Sequence, residues 1–247
     1  MNKFLKTFNH KISFIGAFLL LPVTFIFTSC EDEKEIDVVF EGYADMYIQQ
    51  KMVDNQTLFA PYYLVIANTT INSAMVETPN GETAELEPYE YLTTYIKEPT
   101  ENEFTTSVMQ TGTYRFTGTY GENEPFTITD IFDGRVIGFP QIDSVGYDNT
   151  DYSIYVSWEL VGGADLYKVK LLSQAGEVVF SGIELTSESN AFKLNMDTEG
   201  WVTEPYTGDV LTLQLHAFVF DGDAGDDNWY YNIECDSYSE TQVVWGE

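Results

Sequence analysis

After Cys30 the chain nowhere sustains an apolar repeat of 3.6 residues, so packing long amphipathic helices is not open to it. Short runs rich in Val, Ile, Thr, Tyr and Phe recur instead, cut by Gly, Pro, Asn and Asp, which is the pattern of strands between tight turns. Candidate strands cover 37–49, 58–68, 74–78, 83–87, 91–97, 104–109, 113–120 and 126–131. A second series covers 140–146, 152–160, 166–172, 177–183, 191–195, 210–220, 229–234 and 239–245. Pro79-Asn80-Gly81 marks a hairpin, because Asn and Gly take positive φ readily. So many short strands at this spacing point to an all-β chain built as sandwiches.

The break between the two series falls near Asp133-Gly134, before Phe139-Pro140 opens the second. In the first series, Gly112-Thr113-Tyr114-Arg115-Phe116 resembles the penultimate strand of immunoglobulin-like and PKD-like domains. That resemblance implies a tyrosine corner anchored by the Tyr114 hydroxyl. In the second, Ile154-Tyr155-Val156-Ser157-Trp158 and Gly163-Ala164-Asp165-Leu166-Tyr167-Lys168-Val169 resemble two successive strands of fibronectin type III domains. Leu211-Thr212-Leu213-Gln214-Leu215-His216-Ala217 is similar to a later strand of that family, with Leu211 where a corner tyrosine is usual. The resemblance implies that Trp158 and Tyr167 are core; Trp245 is read as core beside them. The expected fold is two tandem immunoglobulin-like β-sandwiches, 37–133 and 134–247.

The amino terminus has a different character. Lys3, Lys6 and Lys11 precede an apolar run from Ile12 to Phe27, and small residues lead to Cys30. A basic start, an apolar core and a small-residue exit make a secretory signal peptide, 1–29. The core is shorter than the roughly 20 residues a membrane span needs. Phe27-Thr28-Ser29-Cys30 resembles the lipobox of bacterial lipoproteins, which implies lipidation of Cys30 and a membrane anchor there. The acidic run Glu31-Asp32-Glu33-Lys34-Glu35 reads as a solvated tether over 30–36. It resembles the export tag of Bacteroidetes-type lipoproteins, which implies the outer membrane and surface exposure at the cell envelope.

Charge narrows the partners. Taking the three lysines of 1–29 from 11 basic residues leaves 8 against 40 acidic ones, a formal charge of −32. Such a surface repels nucleic acid and anionic lipid headgroups. With Cys30 lipidated, Cys235 has no partner for a disulfide. Cys235 and His216 alone cannot build a zinc site. His216 alternates with the inward Leu211, Leu213, Leu215 and Ala217, so it is expected on the outer face, solvated and without a catalytic role.

Two runs stand out as candidate sites. Asp221, Asp223, Asp226, Asp227 and Asn228, interleaved with glycines, offer oxygens for Ca²⁺. Trp201, Trp229, Tyr230 and Tyr231 are candidate aromatic faces for a sugar. Asp143-Ser144-Val145 resembles the O-glycosylation motif of Bacteroidetes exported proteins, which implies a glycan on Ser144. No pair of carboxylates is singled out by spacing, so no enzyme activity is expected. The expected function is non-catalytic capture of an extracellular ligand, a glycan first, as an accessory to outer-membrane uptake. The alternative is a structural or adhesive surface protein, associated with a pilus or matrix.

Overall fold

The computed structural model describes residues 39–222 and 232–247. Its first two strands, β1 (Gly42–Val53) and β2 (Gln56–Ala67), form a hairpin twelve residue pairs long. Asp54 and Asn55 close it with φ of 51° and 62°, the two positive angles that match the right-handed twist of the strands they join. The expected strand 37–49 thus starts later and runs further. Gln50 and Lys51, which lie past the end of the expected strand, are paired on both sides, as is Gln49.

The remaining strands of the first sandwich are β3 (Ile71–Glu77), β4 (Thr83–Tyr89), β5 (Tyr91–Lys97), β6 (Gly112–Tyr120) and β7 (Glu124–Phe132). Their order is β1-β2-β5-β4-β3-β6-β7. The expected turn at 79–81 closes β3 on β4, with Gly81 at φ 86°. Inside lie Ile48, Tyr63, Val65, Val76, Tyr114, Phe116 and Phe132. The tyrosine corner is present: the Tyr114 hydroxyl donates to the Gln110 carbonyl at 2.9 Å. Burial, then the Asp130 charge, raise its pKa to about 12. Residues 104–109 are not a strand. β5 takes the β2 edge at Tyr63–Ile66, and Thr100 and Glu103 cap a 3₁₀ turn at Glu101–Glu103 that redirects the chain. Only Thr105 returns to pair with Phe59.

The second sandwich has a three-stranded sheet, β13 (Ala191–Leu194), β9 (Ser153–Glu159) and β8 (Gln141–Asp148), in that order. Facing it run β11 (Val178–Ser181), β10 (Leu166–Leu172), β14 (Val210–Phe220) and β15 (Ile233–Val244); the two-residue β12 (Leu185–Thr186) also pairs with β10. This is the strand order that the fibronectin type III resemblance implies. Trp158 (1% exposed), Tyr167, Leu213, Leu215 and Trp245 are buried between the sheets. Two separate strands at 229–234 and 239–245 are not found; Ile233–Val244 is continuous, because Asp236 and Ser237, which resemble a turn, are held in the ladder.

The two sandwiches are not beads on a string. Parallel pairing sets Ile48, Gln49, Gln50 and Lys51 of β1 against Cys235, Asp236, Ser237 and Tyr238 of β15. One twelve-stranded sheet therefore runs through both halves. β14 and β15 outreach their own sandwich and place Val219 and Cys235 in the core of the other. Burial pushes the Cys235 thiol up to about 12, and it is free. Residues 133–140 carry the chain across, and Ile137 packs on both cores while its carbonyl accepts from Gln50 Nε2.

A buried carboxylate lies beside this junction. Asp45 is fully buried; one oxygen accepts from the Ile233 amide at 2.9 Å and Oδ1 has no hydrogen-bond partner. Burial, then the charge of Asp130, hold its pKa well above the usual range. A carboxyl with a raised folded-state pKa contributes most when protonated, and its contribution is lost as pH rises through that value. Asp45→Asn keeps the acceptor for Ile233 without the charge. Urea denaturation should show it more stable than the parent at pH 8, with a smaller gain at pH 5; a variant less stable at pH 8 would contradict this.

Candidate functional site

The outer face of the shared sheet gathers polar and aromatic groups where the halves meet. Alternation along β14 does put His216 on this face, opposite Leu215 and Ala217. It is not solvated, as the sequence led one to expect, but 2% exposed. Tyr238 and Phe218 stack on its ring at 5.0 and 5.9 Å between centroids. Asp236 meets Nδ1 at 2.8 Å and accepts from Gln49 Nε2 at 3.1 Å. This carboxylate therefore ties β14 to β15 and, through Gln49, to β1 of the other sandwich. Gln214 Oε1 lies 3.3 Å from Nε2, so each ring nitrogen has an oxygen neighbour.

Burial lowers the His216 pKa, against the pull of Asp236. The unfolded chain then takes up a proton first as pH falls below about 6.5, and stability drops with acid by at most about 1.4 kcal/mol per pH unit. Carboxylates titrate in the same range, so His216→Gln is the control. The stability difference between parent and variant should shift in favour of the variant from pH 7.5 to 5.5. An unchanged difference would contradict a neutral, buried ring.

A cavity of about 170 Å³ opens beside this network, lined among others by Tyr47, Lys168, Lys170, Glu184, Phe218 and Asp236. It draws on both sandwiches: Tyr47 comes from β1, the lysines from β10. Tyr47 stacks on Tyr62 of β2 at 4.6 Å, which fixes its ring. Lys168 and Lys170 point the same way because they are two apart on one strand. Burial, then the charge of Lys170, lower the Lys168 pKa. The other paired cations of the chain face carboxylates: Lys51 with Glu101, Lys97 with Glu103, Arg115 with Glu77 and Lys193 with Asp151. The side chains of Lys168 and Lys170 form neither an ion pair nor a hydrogen bond among the described residues.

Among the described residues, those singled out by sequence do not converge. Trp201 is half-buried on the second core, its ring 4.9 Å from Phe180 and 5.2 Å from Trp245, and its indole N–H donates to the Asn195 carbonyl. That is the Val210–Val244 end of the β14–β15 ladder. Phe220, which leads into the acidic run, lies ten residues further along β14, roughly 33 Å away. Ser144 is exposed on β8, its hydroxyl 2.8 Å from that of Ser157. Asp221 is described, whereas Asp223, Asp226, Asp227, Asn228, Trp229, Tyr230, Tyr231 and Cys30 lie outside the described residues. Among the described residues no group of three or more His, Cys, Asp or Glu is arranged to hold a metal ion, and no helix is long and apolar enough to cross a membrane. Sequence reading missed Tyr47, Lys168, Lys170 and Asp236. The available signal was Lys168-Val169-Lys170, two same-face cations on one strand of a very acidic chain.

No family model matches the chain, and no curated protein matches it. Solved structures do. A two-domain fibronectin type III segment of chicken tenascin is 16% identical with a TM-score of 0.28, covering 83% of this chain and 99% of that one. A tetra-tandem repeat from the extending region of a large adhesion protein is 12% identical with a TM-score of 0.26, covering 83% of this chain and 50% of that one. The BSP domain of a biofilm-associated protein is 11% identical with a TM-score of 0.26, covering 85% and 53%. With TM-scores this low, the strand order itself carries the assignment: the chain is two tandem immunoglobulin-like β-sandwiches.

Proposed function

We propose that the chain is an extracytoplasmic binding ectodomain that captures an extracellular glycan and leaves it chemically unchanged. The cavity at the junction carries this reading. Tyr47 and Phe218 line it with aromatic carbon against which sugar C–H faces pack. Glu184 is an acceptor for hydroxyls, and the lysines are donors. The wall is shared by two sandwiches locked in one sheet, which preorganises it. His216 supports binding over catalysis, since Asp236 and Gln214 are the polar groups at its nitrogens, and neither is a hydroxyl or thiol to activate.

The sheet edges favour this reading over assembly by strand addition. β11 and β13 are four residues long, β8 carries Asp143 and Asp148, and β7 begins with Glu124-Pro125. Short, charged or proline-bearing edges resist pairing with another chain. The reading includes attachment to the outer membrane through lipid on Cys30, Ca²⁺ held by the acidic run that starts at Asp221, and a glycan on Ser144.

A polysaccharide array probed with the detergent-solubilised protein tests the function. Retention on at least one polysaccharide class, without new reducing ends appearing, is expected. Silence across the array, or steady release of reducing ends, would contradict it.

A further inference from the structure

Two ammonium groups facing one cavity, neither within ion-pairing distance of a carboxylate, are an unusual expense in a chain with 40 acidic residues. Carboxylates are abundant, and the other ion-paired cations have found one. Lys168 and Lys170 are half-buried, repel each other and still face one cavity. Their aliphatic stems would cover the apolar floor equally well from separate positions, so stem packing alone does not account for the pairing of the two charges. An anion placed between them does: it gains two charge-assisted hydrogen bonds in a recess partly withdrawn from water.

We infer that the Lys168–Lys170 cavity takes the carboxylate of an acidic sugar, a uronate residue at the end or branch of a glycan. The inference rests on the glycan reading above and narrows it. At about 170 Å³ the recess is smaller than the roughly 300–1,000 Å³ clefts that enclose drug-sized ligands, so it holds one unit and not a run of them. Glu184 on the same wall accepts bonds from the hydroxyls of a single uronate. An acidic peptide offers that carboxylate few hydroxyls in return. Phe218 and Tyr47 add apolar carbon to the wall.

Equilibrium binding to the full chain in detergent decides it, with four probes: an oligogalacturonate, its methyl ester, a sulfated oligosaccharide and an oligoglutamate peptide. The oligogalacturonate should bind, and esterification, which removes the charge and adds one methyl group, should weaken it at least tenfold. Lys168→Met with Lys170→Met keeps the stems and should cause the same loss, with an unchanged thermal midpoint showing that the fold is intact. Raising salt from 0.05 to 0.5 M should weaken the parent and not the variant. Equal binding of acid and ester, full affinity in the double variant, or a preference for the sulfated sugar or the peptide overturns the uronate assignment. If neutral glycans bind and the lysines do not matter, this inference fails and the glycan reading stands. If no glycan binds in any arm, both fail.

Discussion

Replacing Asp236 with leucine is expected to lower the unfolding free energy by about 2–4 kcal/mol, because it strands the polar groups that Asp236 now satisfies. Asp236 is 1% exposed and bonds to His216 of its own sandwich and Gln49 of the other. Leucine fills the space but leaves a buried imidazole and a half-buried amide without their acceptor, and a fully buried group so stranded costs about 1–3 kcal/mol. Asp236→Asn keeps one acceptor oxygen and should cost less than half as much. Urea denaturation followed by tryptophan fluorescence measures both. A leucine variant within 1 kcal/mol of the parent would mean that the network is not what holds this part of the junction.

Trp158→Ala should cost about 3–5 kcal/mol, as large-to-small changes at buried aromatic sites do. Trp158 is 1% exposed and packs on Tyr167 at 5.5 Å between centroids, deep in the second core. Trp158→Phe also removes an indole N–H that has no partner, and should cost less. The more telling expectation concerns the other sandwich. Since β1 and β15 are neighbours in one sheet, the first core should lose stability with the second. Hydrogen exchange of the Val65 and Phe116 amides, both in the first core, should speed up in Trp158→Ala by the same free energy as Val169 and Leu213 in the second. Unchanged protection at Val65 and Phe116 would show two independent folding units.

Much of the architecture is legible without coordinates because it is written in local chemistry. Alternation and turn residues mark the hairpin at Asn80-Gly81, and Tyr114, Trp158 and Tyr167 sit where their motifs imply. The junction is not legible, for a physical reason. The β1–β15 ladder joins residues 187 positions apart, Gln49 and Asp236 among them, through backbone groups that carry no residue code. The side chains there are polar, so the expected first strand stops at Gln49 and the last is broken at Asp236-Ser237. His216 misleads in the same way: alternation gives its face correctly, but Tyr238 and Phe218, which bury it, are set by pairing and not by neighbours in sequence. The cavity follows from that junction, and so no run of residues announces it.

One shared sheet makes the two sandwiches a single body, and scanning calorimetry of the protein tests that most directly. A single endotherm is expected, with calorimetric and van't Hoff enthalpies equal, as in cooperative all-or-none unfolding. Two resolved transitions, or a calorimetric enthalpy near twice the van't Hoff value, would contradict it.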